Sequence, residues 1–423
     1  MSKLLIIADD FTGALDTGVQ FAARGASTQV RMAPAGADAV PATDTEVLVL
    51  DVATRHVPPD QAYASVYRAA KAAVKAGITY LYKKTDSALR GNIGSELSAL
   101  MDATQTDRLA FVPAYPRMDR VTRNGIHWVE GMPVADGVFG RDPFTPVIRS
   151  DIYGLLAAQT NKPIVLHRES DRITCLESPG IHVFDAGSDA TLTAIADRLG
   201  ADALRVSAGC AGFAAELARL LIPQRTPQSV LPDRSNLFVL CGSINPVTRH
   251  QIDQATANGF IRFRLGIDQK LDPDWPDSAA GRAMVDRLLV IARIGRSCIV
   301  DANDPDGIPE TLHWAERHAW PIEQVRQQIA AQLGKLGKRL LEGGLDATLL
   351  CTGGDTLQAL LRSVDVRTIT PLCERSVGVV LASLTLGGHN RFILSKSGGF
   401  GPPDLFLNLA DQLSAAQHDF DGG

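Results

Sequence analysis

The chain lacks the residue patterns of several large protein classes. Its six cysteines are widely separated, with no CxxC pair and no Cys/His spacing that suits zinc, so we expect reduced thiols. A net charge of −5 and a pI near 6.0 argue against a nucleic acid as the main partner, because affinity for the phosphate backbone needs clustered Lys and Arg. Any anionic ligand must therefore be bound by a local site.

Long apolar segments are also missing. No run approaches the roughly 18 apolar residues that are needed to cross a membrane. The amino-terminal apolar run is too short for a signal peptide and is stopped by Asp9 and Asp10. These features predict a cytoplasmic protein with no membrane partner.

Several well-known catalytic motifs are absent. There is no GxxxxGK[ST], no GxGxxG after the first predicted strand, no HExxH and no GxSxG. His313 and His318, five positions apart on a predicted helix, do not share a face and are interpreted as surface residues.

The patterns that are present predict an α/β protein with two domains, each a mainly parallel sheet flanked by helices. Short runs of Val, Ile and Leu alternate with longer helical patterns. The segment 222–234 carries three prolines and no helical period, so it predicts a linker between a domain at 1–225 and a domain at 235–423. The predicted strands cover 3–8, 46–52, 78–83, 108–112, 163–166, 181–184 and 204–206, then 237–241, 260–265, 297–300, 347–351, 377–381 and 391–395. A small hairpin is predicted at 125–134, and a final helix at 404–415.

Ligands of parallel sheets bind at the carboxyl ends of strands, which directs attention to the turns that follow them. After the first strand, Asp9 and Asp10 could bind sugar hydroxyls, accept a proton or hold Mg²⁺; the alternative is a helix cap and a solvated carboxylate. After the second, Arg55 could bind a carboxylate in bidentate fashion, or form a surface salt bridge.

The turn from Lys83 to Gly91 is the most informative of these. Lys83, Lys84, Thr85 and Asp86 place two cations, a hydroxyl and a carboxylate at a strand end, as expected of a site for a small oxygen-rich anion. The alternative is an exposed strand end with a solvated charge pair.

Three turns in the second half suit a nucleotide. Cys241 to Pro246 offers Ser243 and free backbone amides before a helix, although simple helix capping explains it equally well. The turn that contains Gly353, Gly354, Asp355 and Thr356 and the turn that contains Gly398 and Gly399 let the backbone approach a phosphate. Two glycine turns in one domain favour nucleotide binding, with Asp355 as a ligand of Mg²⁺ or of a ribose hydroxyl.

Taken together, these motifs resemble those of the four-carbon acid sugar kinases, a bacterial family once grouped as proteins of unknown function. The resemblance runs from the first strand to the last helix and keeps the order of the motifs. It is carried by Asp9-Asp10-Phe11-Thr12-Gly13, Lys83-Lys84-Thr85-Asp86-Ser87 with Arg90-Gly91-Asn92, Cys241-Gly242-Ser243, Thr352-Gly353-Gly354-Asp355-Thr356 and Lys396-Ser397-Gly398-Gly399-Phe400-Gly401.

The resemblance implies an acid-sugar-binding first domain, an ATP-binding second domain and an active site in the cleft between them. Members phosphorylate D-threonate, D-erythronate or 3-oxo-tetronate on the terminal hydroxyl, giving the 4-phosphate, with ATP and Mg²⁺. The run Asp16 to Gln20 looks more like the D-threonate kinases. By motif position the substrate side holds Asp9, Asp10, Arg55, Lys83, Lys84, Thr85 and Asp86, and the ATP side holds Ser243, Gly353, Gly354, Asp355, Thr356, Gly398 and Gly399.

The predicted mechanism is phosphoryl transfer by positioning and charge neutralisation, with closure over Mg²⁺-ATP. Asp10 is the first candidate for the group that takes the hydroxyl proton, and Asp86 and Asp355 are alternatives. The sequence fixes neither the metal ligands nor the oligomeric state, and a homodimer is compatible with it. Two functions of other classes stay open: a non-catalytic binding protein for a small sugar acid, and a nicotinamide-dependent enzyme.

Overall fold

The computed structural model describes residues 2–33, 43–142, 144–171, 173–226 and 236–421, with the backbone alone from 416 onwards. The chain divides into two compact units, Met1–Gln228 and Ser229–Gly423. The predicted linker at 222–234 lies largely outside the described residues, because 227–235 are not among them. Within the described ranges, no helix combines the length and the apolar character that crossing a bilayer requires.

The first unit is built on a parallel sheet. Its strands are β1 (Leu4–Ala8), β2 (Thr28–Met32), β3 (Val47–Asp51), β4 (Tyr80–Lys84), β5 (Arg108–Val112), β6 (Arg120–Arg123), β7 (Ile126–Val129), β8 (Met132–Pro133), β9 (Ile164–His167), β10 (Gly180–Phe184) and β11 (Val206–Gly209). Within this unit the parallel strands lie in the order β2-β3-β1-β4-β11-β5-β10-β9, and β6, β7 and β8 form a small antiparallel sheet. Every residue of β1 and of β3 is buried, as expected where helices cover both faces of a parallel sheet.

Helices connect these strands. They are α1 (Phe11–Ala22), α2 (Pro59–Lys75), α3 (Ile93–Thr104), α4 (Ile152–Ala157), α5 (Asp189–Ala203) and α6 (Ala211–Leu221), with a short 3-10 helix at Pro116–Met118. In α2 the buried positions Ala62, Val66, Ala69 and Ala73 recur every three or four residues, so one face of the helix packs on the sheet.

The second unit has a mixed sheet. Its strands are β12 (Leu237–Cys241), β13 (Ile261–Arg264), β14 (Cys298–Asp301), β15 (Thr348–Thr352), β16 (Thr368–Ser376), β17 (Val379–Leu386) and β18 (His389–Lys396). The order is β13-β14-β12-β15-β18-β17-β16, and the strands are parallel from β13 to β18, whereas β17 is antiparallel to both of its neighbours. The helices are α7 (Pro246–Ala257), α8 (Ile267–Leu271), α9 (Ala279–Arg293), α10 (Pro309–Arg317), α11 (Ile322–Glu342), α12 (Gly354–Ser363) and α13 (Leu405–Asp421), with a 3-10 helix at Trp275–Asp277.

The predicted α/β class with mainly parallel sheets is confirmed in both units, but three of the described strands were missed, namely β2, β6 and β16. β2 reads Thr-Gln-Val-Arg-Met and is buried only at alternate positions, so it has no continuous apolar run. β16 contains Pro371 and several polar residues, and its pairing with β17 is irregular near that proline. The predicted hairpin at 125–134 is part of the small antiparallel sheet, which also includes β6.

Candidate active site

The carboxyl ends of three neighbouring strands bring the first group of predicted residues together. In the parallel register, Ala8 at the end of β1 lies opposite Asp51 of β3 and Lys84 of β4. The turns after these strands therefore meet at one edge of the sheet. We use the name edge cluster for Asp9, Asp10, Arg55, Lys84, Asp86 and Arg90.

Arg55 joins three carboxylates of the edge cluster. Its Nε donates to Asp9 Oδ2 at 2.8 Å and its Nη2 donates to Asp10 Oδ1 at 2.6 Å. The same Nη2 lies 3.4 Å from Asp86 Oδ1. A guanidinium that faces three carboxylates orients their oxygens. The alternative of a surface salt bridge is wrong, because the side chain of Arg55 is only 9% exposed.

Asp86 is the most fully hydrogen-bonded carboxylate of the cluster. It accepts from Arg90 Nε at 2.8 Å and Arg90 Nη2 at 3.0 Å, and from the backbone amides of Ala88 and Arg90 at 3.2 Å each. Burial alone would raise the pKa of Asp86, but Arg90 and Arg55 outweigh it and hold the pKa well below its usual range. Asp86 is therefore a permanently charged anchor for this turn.

Asp9 and Asp10 differ in the hydrogen bonds that their carboxylates accept and in their exposure. Asp10 caps α1, because it accepts from the Gly13 amide at 3.2 Å, and it also accepts from Thr12 Oγ1 at 2.6 Å. Burial would raise the pKa of Asp10. The charges of Arg55 and Lys84 lower this pKa by a larger amount, so the net shift is downward. The side chain of Asp10 is 17% exposed, against 3% for Asp9 and 7% for Asp86. The second oxygen of Asp9, Oδ1, is buried and accepts no hydrogen bond from any described residue, so this acceptor is unused within the described part of the chain.

The two lysines at the end of β4 occupy different surroundings. Both are buried, at 0% and 4% exposure, so the alternative of an exposed strand end is wrong. Lys83 Nζ lies 2.9 Å from Glu96 Oε2 on α3 and donates to the Lys84 carbonyl at 2.6 Å. Thr54 Oγ1 donates to the other Glu96 oxygen. The Lys83 charge is thus neutralised inside the protein.

Lys84 is a cation of the edge cluster whose ammonium is not fully used by the described residues. Its Nζ lies against Gly13, where an added Cβ would come within 2.5 Å of it. Within the described part of the chain its ammonium has neither a hydrogen bond nor an ion pair, although it lowers the pKa of Asp10 and of Asp86 from nearby. An unpaired buried ammonium is costly, and an anionic ligand at this position would reduce that cost.

Several residues that the sequence interpretation did not assign complete the surroundings. Arg120 of β6 donates to Ser87 Oγ, and its guanidinium lies 5.2 Å from the Phe139 ring centre, at the same distance as the Arg90 guanidinium. His127 of β7 makes a 2.8 Å hydrogen bond to the Ser87 carbonyl, and burial lowers its pKa to about 4, so its ring is neutral. The small antiparallel sheet thus supports the turn after β4.

The second group of predicted residues also lies at strand ends. Cys241 of β12 pairs with Thr352 of β15, which in turn pairs with Lys396 of β18. The turns that follow these three strands are in contact: an added Cβ at Gly398 would lie 2.5 Å from Ser243 Oγ, and one at Gly242 would clash with Thr356 Oγ1. The structure brings the predicted nucleotide turns to one edge of the second unit.

Gly353 and α12 form the first of the two glycine turns. Gly353 has φ +89°, a conformation that favours glycine, and its amide donates to the Lys396 carbonyl at 2.9 Å. Among the described residues no side chain caps α12, so its first amides lack a capping acceptor at the positive end of the helix dipole. Asp355 forms an ion pair with Arg326 of α11, and its side chain is 47% exposed.

Residues of α7 and of the turn after β14 hold the other turns in place. Gln251 Nε2 donates to the carbonyls of Phe400, Gly401 and Pro402 at 2.9–3.0 Å. Asn303 Nδ2 donates to the Ser243 carbonyl at 3.1 Å. Neither residue was anticipated, because each acts on a turn that is distant in sequence.

Comparison with known proteins gives a separate family match for each of the two units. Residues 4–217 match the model of the sugar-binding N-terminal domain, and residues 238–406 match that of the nucleotide-binding C-terminal domain. D-threonate kinase of Bordetella bronchiseptica is 31% identical, with 96% of each chain covered. D-threonate kinase of Salmonella typhimurium is 28% identical over 94% of this chain and 95% of that one, and D-erythronate kinase of Heliobacterium modesticaldum is 26% identical over 98% and 97%.

The chain belongs to the four-carbon acid sugar kinase family. A solved structure of a Salmonella typhimurium protein described as a putative tRNA synthase has a TM-score of 0.77 and 23% identity, and covers 96% of this chain and 98% of that one. At that identity it shows that the fold is shared. Members of the four-carbon acid sugar kinase family named for 3-oxo-tetronate also match, at 25% identity over 97% of each chain, so the family alone does not select one substrate.

Proposed function

We propose that this protein transfers the γ-phosphoryl group of ATP to the 4-hydroxyl of D-threonate in the cytoplasm, giving D-threonate 4-phosphate. D-erythronate and 3-oxo-tetronate are the alternative substrates for the same chemistry. The observation that carries the proposal is the pairing of a buried cluster of charged and hydroxyl-binding groups in one unit with a set of glycine turns in the other.

In the first unit, the edge cluster matches the two ends of a small sugar acid. Lys84 would bind the carboxylate, since its buried ammonium acts on Asp10 and Asp86 at a distance but forms no hydrogen bond or ion pair with any described residue. Asp9 Oδ1 and Thr85 Oγ1, both buried and without a hydrogen-bond partner among the residues that the structure describes, would bind hydroxyl groups. Arg55 and Arg90 would keep the acidic oxygens fixed in this arrangement, so that substrate binding requires little rearrangement.

Asp10 is the proposed acceptor of the 4-hydroxyl proton. It is the most exposed carboxylate of the edge cluster, at 17% against 3% for Asp9 and 7% for Asp86. Asp86 is occupied by Arg90 and two backbone amides, and Asp355 of the second unit, although more exposed, is paired with Arg326. A carboxylate with a lowered pKa is a weak base, but phosphoryl transfer through a loose transition state needs little removal of the proton before the phosphoryl group moves.

In the second unit, Gly353, Gly354, Thr356, Ser243 and Gly399 would surround the phosphates of ATP. The outward amides of α12 and the positive φ of Gly353 fit a close-lying anion. Mg²⁺ would be bound mainly by ATP oxygens, since it needs few protein ligands, and it supplies charge neutralisation of the transferred group. Asp355, which follows Gly353 and Gly354 in the same turn, is the candidate protein carboxylate, provided that Arg326 releases it.

A coupled assay of ADP release over D-threonate, D-erythronate, L-threonate and 3-oxo-tetronate tests the proposal. We expect the highest kcat/KM with D-threonate. ADP release with none of the four acids would contradict the kinase function, and a clear preference for another of them would contradict the substrate assignment. Thermal stabilisation by sugar acids but not by ATP would instead favour the non-catalytic binding protein.

A further inference from the structure

Lys396 is a buried lysine beside the second glycine turn, and no described residue supplies a counter-ion for its charged form. It ends β18, its side chain is 0% exposed, and its Nζ donates to Thr248 Oγ1 at 3.0 Å and to the carbonyls of Ser397 and Gly398 at 3.1 Å each. No carboxylate in the described part of the chain forms an ion pair with it. The other fully buried lysines differ, because Lys83 pairs with Glu96 and Lys270 pairs with Asp304.

The titratable group that faces Lys396 does not neutralise it. This is Cys241 at the end of β12, and burial raises the pKa of its thiol to about 12, so the thiol is neutral. Burial in the same place lowers the pKa of Lys396 to about 7. An unpaired buried charge destabilises the folded protein, and an approaching anion would remove that cost.

The acceptors of Lys396 determine the direction of two backbone amides. In a trans peptide group the C=O and the N–H point in opposite directions, and the described chain contains no cis peptide bond. Since the carbonyls of Ser397 and Gly398 point toward Lys396 Nζ, the amides of Gly398 and Gly399 point away from it. Neither amide donates a hydrogen bond to any described residue. Successive amides of this kind form a concave site for an anion.

We propose that Lys396 is a positioning residue for nucleotide binding, which turns the amides of Gly398 and Gly399 toward a phosphate group and is stabilised in its charged form by that phosphate. The inference rests on the proposed function, which assigns ATP to this unit. Its consequence is that nucleotide binding and protonation of Lys396 are coupled. Binding of a polyphosphate near neutral pH should be accompanied by uptake of a proton.

Calorimetric titration of the full-length protein with ADP, in Hepes and in Tris, measures this uptake from the difference in buffer ionisation heat. At pH 8 we expect a net uptake of protons, up to one per ADP, for the wild type, because burial lowers the pKa of Lys396 to about 7 and leaves it largely neutral before binding. Lys396→Met should take up no proton at this pH and bind ADP at least 10-fold more weakly. Lys338→Met, which changes an exposed lysine of α11, serves as the matched control and should behave like the wild type.

The possible outcomes distinguish a failure of the proposed function from a failure of the role proposed for Lys396. If the wild type binds no ADP, the proposed function fails. If the wild type binds ADP without proton uptake at any pH between 7 and 9, only the role of Lys396 is refuted, and this result does not depend on whether Lys396→Met folds. Equal proton uptake in the wild type and in a folded Lys396→Met variant would also refute it.

Discussion

Replacing Lys83 by Met should destabilise the first unit by an amount that depends on pH. The substitution keeps the length of the side chain but removes the ammonium that lies 2.9 Å from Glu96 Oε2. Glu96 is 1% exposed, and burial raises the pKa of its carboxyl even with Lys83 present. Without Lys83, we expect the folded protein to keep this carboxyl protonated.

The size of the effect follows from the cost of that protonation. An ordinary Glu has a pKa of about 4.3, and one pKa unit corresponds to about 1.36 kcal/mol, so holding a proton on Glu96 at pH 7 costs at most about 3.7 kcal/mol. At pH 5.5 the same ceiling is about 1.6 kcal/mol. Above pH 4.3 the folded variant binds a proton that the unfolded chain lacks, so its stability relative to the wild type falls as pH rises.

Urea titrations followed by circular dichroism at pH 5.5 and pH 7 give the free energies of unfolding. The deficit of Lys83→Met should grow by about 2 kcal/mol between these pH values. In the double variant Lys83→Met/Glu96→Gln this pH dependence should disappear, because the amide cannot take up a proton but still accepts from Thr54. A deficit that is the same at both pH values, or no deficit, would refute the reasoning.

Three further predictions concern the edge cluster and its support. Lys84→Met should raise KM for the sugar acid about 10- to 100-fold, because a charged hydrogen bond contributes about 1.5–3 kcal/mol. KM for ATP should stay unchanged, and an equal rise in both KM values would contradict the role of Lys84. Asp10→Asn should lower kcat at least about 100-fold while the sugar acid still binds, and near-normal turnover would remove Asp10 from the role of proton acceptor. Burial lowers the pKa of His127 to about 4, so the free energy of unfolding should decline as pH falls from about 6.5 toward 4. His127→Gln should flatten that decline in urea titrations. An unchanged pH profile would show that His127 does not titrate in this range.

The parts of the structure that depend on local pattern could be predicted from the sequence. Buried strands such as β1 and β12 appear as short apolar runs, and the carboxyl ends of parallel strands are where ligands bind. The turns that contain Asp9, Asp86 and Gly353 were found for this reason. β2 was missed because its alternating pattern is typical of a half-buried strand and lacks an apolar run.

The partners of the charged residues could not be predicted in the same way. Alternation along β4 places Lys83 and Lys84 on opposite faces of the strand, and this signal was available in the sequence. Nothing local, however, indicates that Glu96 on α3 meets Lys83, although a Glu on the apolar face formed by Ile93, Leu97 and Leu100 hints at a buried acid. Arg120 reaches Ser87 only because the small antiparallel sheet folds back toward β4, which is a tertiary contact.

The position of the transferred phosphoryl group tests the central claim most directly. The protein is incubated with Mg²⁺-ATP and D-threonate, and the product is examined by phosphorus NMR with proton coupling. We predict a new phosphate monoester signal split into a triplet by the two protons on C4, formed in step with ADP. A signal split into a doublet by a single proton would place the phosphate on a secondary hydroxyl, and the absence of any new ester signal would contradict the assignment of this protein as a D-threonate 4-kinase.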